Sequence, residues 1–363
     1  MYIKRKINKV DFSKKDWLEK VSHVAQVGGI ETSVLDNGRG RGTRIAWINT
    51  GTGLRFKVVI DRAMDIADAY FNQFNLSWIS KLGVTAPQPF SDKGADWLRT
   101  FGGGLLVTCG LTHVGGPEAD VFGSRGLHDQ ISNIPAEIIH IKQPDLLNGD
   151  LEISITGRIL QGHPLGHPLE LIRTIRCYLG DPTIHIEDVV QNVGNMDAPH
   201  MLLYHFNFGW PLVDAGTQLL WNGKWLPRES GESNKIFKAG YDFKTCQEPR
   251  EDHRGAGEEA VFISPKSDQK GNSHCGLFNE KLGFAVALTF KKEQLPWLTN
   301  WQHWGPGEYV TGLEPGTNPP LGQKMMRERK ELIFLKPQEK KVYQLSLSIL
   351  DTLEEIQVFK DNM

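Results

Sequence analysis

Four short segments carry the side chains most able to do chemistry. In Leu203-Tyr204-His205-Phe206-Asn207-Phe208-Gly209-Trp210-Pro211, a histidine and an amide stand two residues apart in an otherwise apolar run. A strand here puts His205 and Asn207 on one face with Leu203 and Gly209, and Tyr204, Phe206, Phe208 and Trp210 on the other. Polar tips surrounded by apolar surface are costly to bury without partners, so the pattern favours a site over packing. In Thr311-Gly312-Leu313-Glu314-Pro315-Gly316-Thr317-Asn318-Pro319-Pro320, one glutamate sits in a stretch that reads as a stiff loop. On composition alone, Glu314 reads as a loop residue bonded to backbone amides. The preceding Trp297, Trp301 and Trp304 offer aromatic faces suited to the C–H surface of a sugar, or to an ordinary core. His128, in Gly126-Leu127-His128-Asp129, is a site candidate or a satisfied core histidine. Arg62, in Val58-Val59-Ile60-Asp61-Arg62-Ala63-Met64-Asp65-Ile66, is either half of an internal ion pair or a planar donor fork for hydroxyl groups. A histidine titrating near 6.5 together with a carboxyl group can divide acid and base roles on one ligand.

Competing chemistries are less well supported. Phe101-Gly102-Gly103-Gly104 lacks the lysine and following helix of a phosphate loop, and reads as close backbone packing. His163 and His167 are four residues apart, but Pro164 and Pro168 forbid the helix that would aim both at one metal, so no metal site is expected. There is no GxSxG elbow and no cysteine in a nucleophile motif.

The elements that must position these groups read as strands. Short β-type runs recur at Arg44–Asn49, Leu54–Ile60, Glu137–Ile141, Leu151–Ile159, Leu169–Tyr178, Thr183–Val190, Gly283–Phe290, Glu331–Leu335 and Lys341–Ile349. Several alternate apolar and polar residues, as half-buried antiparallel strands do. The 38 glycines and 19 prolines are spread as turns between them. One short helix is expected over Lys14–Val24, capped by Asp11 or Ser13. No regular strand–helix alternation, 20–50-residue repeat or low-complexity linker appears, so residues 26–363 read as one all-β domain behind a helical extension, 1–25. The long connections Thr85–Arg99 and Trp225–Glu259 are where such a scaffold carries a site.

Composition narrows the partners. The chain is 39% hydrophobic and 23% charged, with a formal net charge of −2. No field favours nucleic acid or an acidic membrane surface. No apolar run approaches bilayer length and no signal-peptide core is present. Cys109, Cys177, Cys246 and Cys275 are widely spaced and read as reduced thiols. The expectation is a cytoplasmic protein.

Taken together, the arginine, the Leu127-His128 step, the His205-x-Asn207 strand and Glu314, in this order, resemble the aldose 1-epimerase (galactose mutarotase-like) superfamily. Asp61-Arg62-Ala63-Met64-Asp65-Ile66 is similar to its "aldose 1-epimerase family protein" branch. The resemblance covers roughly residues 30–350. It implies a galactose mutarotase-like β-supersandwich with a sugar in an open groove, and no cofactor. It further implies His205 as general acid on the ring oxygen, Glu314 as general base on the anomeric hydroxyl, and His128 and Arg62 as holders of ring hydroxyls, with Asn207 beside them. The superfamily's substrate-binding aspartate falls in the interval containing Asp252. Asp129 stands where the pattern has glycine, placing a further carboxylate beside the groove. The expected function is sugar mutarotation or epimerisation at the anomeric carbon; alternatives are a non-catalytic carbohydrate-binding protein, or an isomerase or lyase of a keto or acidic sugar. The expected partner is a small carbohydrate, with a homodimer from base rates.

Overall fold

A computed structural model describes residues 14–88, 92–230, 233–255 and 257–363. Alternation of side chains along the strands produces two antiparallel sheets that share one apolar core. Along Leu169–Tyr178, buried and half-buried residues alternate almost without exception, as they do along Thr183–Asn192. Each strand therefore turns one row inward and one row outward.

The larger sheet has twelve strands. Its main path runs Gly29–Val34, Arg44–Asn49, Leu54–Val59, Asp65–Phe71, Leu106–Leu111, Ala198–Gly209, Glu308–Gly316, Trp297–Gly305, Glu259–Pro265 and Gly223–Pro227. The second has eight: Gln218–Trp221, Asn272–Asn279, Phe284–Lys291, Lys340–Leu350, Thr183–Asn192, Leu169–Tyr178, Glu152–Gln161 and Glu137–Lys142. Tyr204, Phe206 and Phe208 join Ile155, Leu171, Ile175 and Ile186 in the core between them.

One buried polar cluster crosses this core. Arg173 is fully buried. Its Nε and Nη2 donate to Asp188 at 2.9 and 2.7 Å. Its Nη1 donates to the Ala63 carbonyl, to Asp65 and to Thr108 Oγ1 at 3.2, 3.3 and 2.7 Å. Tyr204 Oη completes the set by donating to Asp188 at 2.7 Å. A guanidinium this deep is tolerated because each of its three nitrogens has an acceptor and two carboxylates face it.

The strand expectations are met to within a residue or two at most ends, and the differences have local causes. The first helix ends at Lys20, with a short 3₁₀ turn at Val24–Gln26. There Gln26 Oε1 accepts from the backbone N–H groups of Ser22 and His23, competing with helix continuation. Asp11 and Ser13 lie outside the described residues. The strand anticipated from Glu331 begins at Ile333, because the N–H groups of Glu331 and Leu332 return to Met326 of the helix Gly322–Glu328. A last helix, Leu353–Asp361, is capped by Thr352 accepting from the Glu355 N–H.

The largest correction concerns Glu314. Its segment is an interior strand, Glu308–Gly316, paired on both sides. Its ladder to Ala198–Gly209 has pairs Leu203↔Gly316 and Phe206↔Leu313 and a two-residue gap between them. Pro315, which has no N–H to donate, lies in that gap beside Glu314. Trp210 also departs from expectation. It follows the strand's last residue and is 68% exposed instead of buried.

If the Arg173 cluster ties the sheets together, Arg173→Met, which leaves Asp188 buried without its cation, lowers the unfolding free energy by about 3–5 kcal/mol. Urea unfolding monitored by fluorescence measures this. A loss below about 1 kcal/mol would show that the cluster is dispensable.

Candidate functional site

Sheet register builds the floor of a groove on the face away from the core. Continuing the register through the gap sets His205 opposite Glu314, which pairs with Thr299, which pairs in turn with Phe262. The next row runs from Gly312 to Trp301 and Ala260, and the following one from Val310 to His303. Residues two apart on one strand share a face, so His205, Glu314, Thr299, Trp301 and His303 are gathered from three adjacent strands. The open groove they line has a volume of about 890 Å³.

His205 Nε2 lies 3.4 Å from Glu314 Oε1, with both residues nearly excluded from solvent. Gly312 makes the contact possible, since a Cβ there would collide with Glu314 Oε1. Aromatic rings surround the pair. Trp301 and Phe101 stand 5.5 and 5.6 Å from the His205 ring, and Trp97 stacks on Phe101 at 4.3 Å. His128 packs edge-on to Trp97 at 4.9 Å and lies 6.2 Å from His205. Its φ of +55°, followed by +60° at Asp129, is strained for residues other than glycine. The turn is held by backbone bonds from His128 N–H to Gly115 O and from Gly110 N–H to His128 O. Asp129 adds bonds from Thr112 and Gln161.

Burial shapes the proton affinities. It holds the His205 ring down to about 4, against an upward pull from the Asn207 side chain. It holds His128 at about 3, with the His205 and His113 rings adding to the effect. It pushes the Glu314 carboxyl well above the usual carboxylate range; Glu258 reinforces the rise and Arg228 opposes it. Desolvation thus favours the neutral imidazole and the neutral carboxylic acid over the charged pair. Glu314 Oε1 and the Nδ1 atoms of His128, His205 and His303 are buried without a hydrogen-bond partner. Four of the ten such atoms among the described residues belong to the lining of this one groove.

Of the six candidates, the fold brings together His128, His205 and Glu314. Asn207 shares the face of His205 but is fully buried, its Nδ2 donating to the Gly104 and His205 carbonyls. Arg62 lies off the groove, against a cavity of about 40 Å³. It donates to the carbonyls of Ser132, Thr85 and Thr100 and to Thr85 Oγ1. The flanking carboxylates have other partners, Asp61 pairing with Arg44 and Asp65 with Arg173. Asp252 is tied to Arg250 and Lys235 outside the lining. Asp129 turns its carboxylate to Thr112, Gln130 and Gln161 instead of the groove. Of the three tryptophans, Trp301 lines the groove and Trp304 is core. Trp78, Trp97, Arg228, Glu258, His303 and Glu308 also line it. Only the two long connections hinted at them. The first supplies Trp97 and the second Arg228 and Glu258.

Solved structures share this architecture. A Klebsiella pneumoniae protein described as a candidate aldose 1-epimerase superposes with a TM-score of 0.80 at 23% identity, covering 92% of this chain and 86% of its own. A galactose mutarotase-like protein from Clostridium acetobutylicum gives 0.63 at 12%, covering 90% and 100%. Galactose 1-epimerase from Lactobacillus acidophilus gives 0.57 at 12%, covering 89% and 98%. The fold is thus that of the galactose mutarotase-like proteins, as the resemblance implied. By sequence, the chain belongs to the family described as domain of unknown function DUF4432, which it matches over residues 40–349. No match was found among curated proteins.

The protonation state can be tested directly. The His205 ring resonances are expected to stay in the neutral form as pH falls from 8 to 5, and a protonated-carboxyl infrared band present at pH 7 should vanish in Glu314→Gln. The unfolded chain protonates this ring near 6.5 but the folded chain only near 4, so the ring withdraws stability as pH falls through that window. Titration of His205 near 6.5 would overturn the assignment.

Proposed function

We propose that this protein interconverts the anomers of a reducing sugar by acid–base ring opening, with His205 and Glu314 as the catalytic pair. The observation that carries the reading is the isolated His205–Glu314 contact, 3.4 Å across neighbouring strands, in an aromatic-lined groove. Anomer exchange takes one proton off O1 and puts one on O5. It therefore needs one acid and one base on the same ligand, with no net change in protons.

The pair fits that balance. Proton transfer from Glu314 to His205 across the contact converts the neutral pair into imidazolium and carboxylate. Hydrogen bonds from sugar hydroxyls to the carboxylate favour that form once water is displaced. Glu314 then accepts the O1 proton as His205 gives its proton to O5, the C1–O5 bond breaks, and the C1 carbonyl forms. The open-chain aldehyde faces the neutral pair again. Rotation about C1–C2 and the reverse transfers close the ring as the other anomer. Ring opening removes two charges from a desolvated site, so burial lowers the energy of the state that contains the aldehyde. His128, held by Trp97 and by its strained turn, contributes a fixed neutral imidazole to the sugar, and Asn207 positions His205. Arg62 and Asp252 have no part in this reading.

Two-dimensional exchange NMR on the anomeric protons of a panel of aldoses tests it. Accelerated exchange for at least one sugar is expected, falling about 10²–10⁴-fold in His205→Asn and in Glu314→Gln, with circular dichroism unchanged. Wild-type exchange rates retained in both variants would sink the mechanism. Binding with no exchange for any sugar would leave a carbohydrate-binding protein.

A further inference from the structure

The groove continues well past the His205–Glu314 pair. His205, Glu314, Trp301 and Ala260 lie on four successive strands. At about 4.8 Å between strands, the floor spans roughly 14 Å from the His205 strand to the Ala260 strand, of which about 10 Å lies beyond Glu314. A water takes about 30 Å³, so 890 Å³ holds on the order of thirty water-sized units, several times what one pyranose displaces. A single ring over the pair leaves more than half of the groove unfilled.

The far half has fixed walls. Trp301 Nε1 donates to Glu258 at 2.8 Å, and Glu258 accepts from Arg228 at 3.0 Å. This holds the indole between the acid–base pair, 5.5 Å from the His205 ring, and Ala260 on the next strand. His303, 7% exposed, has its Nδ1 buried and unpartnered, so the far half has its own unsatisfied polar group. Of the two cationic chains lining the groove, Arg228 is engaged by Glu229 and Glu258, and Lys81 is a largely exposed rim residue 3.6 Å from Glu308. Among the described residues of the lining, no buried, unpaired cation stands ready for a phosphate or a carboxylate.

We infer that the ligand is a neutral reducing saccharide of at least two rings. The reducing ring lies over His205 and Glu314 with Trp301 at its edge, and the next ring lies past the indole over Ala260, against His303. This placement rests on the epimerase reading for which ring lies where. The size and neutrality of the ligand come from the far half alone.

Isothermal titration with glucose and galactose, with cellobiose, maltose and lactose, and with glucose 6-phosphate and glucuronate tests the inference. At least one disaccharide is expected to bind about tenfold or more tightly than either monosaccharide, and the anionic sugars more weakly than glucose. Ala260→Trp, which fills the far floor, is expected to bring the disaccharide-to-monosaccharide ratio towards one, with Ala260→Leu as the milder substitute if the larger side chain prevents folding. No disaccharide preference, a preference for an anionic sugar, or a ratio unmoved by both variants overturns the inference. Exchange NMR on the same sugars separates the two readings. Preferential disaccharide binding without anomer exchange removes the epimerase reading and keeps the ligand class. Exchange of monosaccharides bound as tightly as disaccharides does the reverse.

Discussion

The structure depends on a charge kept where charges are costly. Arg173 stands in the eight-stranded sheet and reaches across the apolar core to Asp65, Thr108 and the Ala63 carbonyl of the other sheet. Tyr204 joins it through Asp188, and Tyr204 pairs along the strand with Thr108. The next pair on that ladder is His205↔Val107. The strand that carries the histidine is therefore anchored from behind, one residue away, by directional bonds that hydrophobic packing does not supply. Apolar contacts tolerate sliding, whereas a guanidinium with several fixed acceptors does not.

The front of the same strand shows the opposite use of burial. The core side holds a charge by satisfying it, and the groove side removes charge by leaving its groups without partners. Desolvation pushes both His205 and Glu314 towards their neutral forms. In the proposed reaction, that pressure is relieved when the ring opens.

Much of this was legible in the chain. Alternation along Leu169–Tyr178 and Thr183–Asn192 announced half-buried strands, and the burial follows it. The His205-x-Asn207 spacing announced two polar groups on one face, and they share it. Glu314 was recognisable as a candidate, but glycine and proline around it suggested a loop. Those residues instead serve the strand. Gly312 clears room for the carboxyl, and Pro315 sits where the ladder is interrupted. Arg62 stands away from the groove, with partners that a local run of charges does not reveal. Its acceptors are carbonyls between 23 and 70 residues away, and Asp65 is matched to an arginine more than a hundred residues on. His303 was invisible for the same reason, and the long connection that carries Arg228 and Glu258 indicated a region without singling them out, since only register across several strands assembles the far wall. The last helix had a readable signal in Thr352 followed by Glu355, a capping pair three residues apart.

The break in the ladder at His205 and Glu314 has a consequence for how the molecule fails. The two side chains meet because their strands are aligned to the residue, and a slip of one position would turn Glu314 into the core and Leu313 into the groove. Alignment is thus all-or-none. A chain that reaches the native register has the complete pair, and a chain that misses it has lost its core along with its site. A preparation damaged by heat or storage should then be a mixture of fully competent and collapsed molecules, not a uniform population of weakened ones.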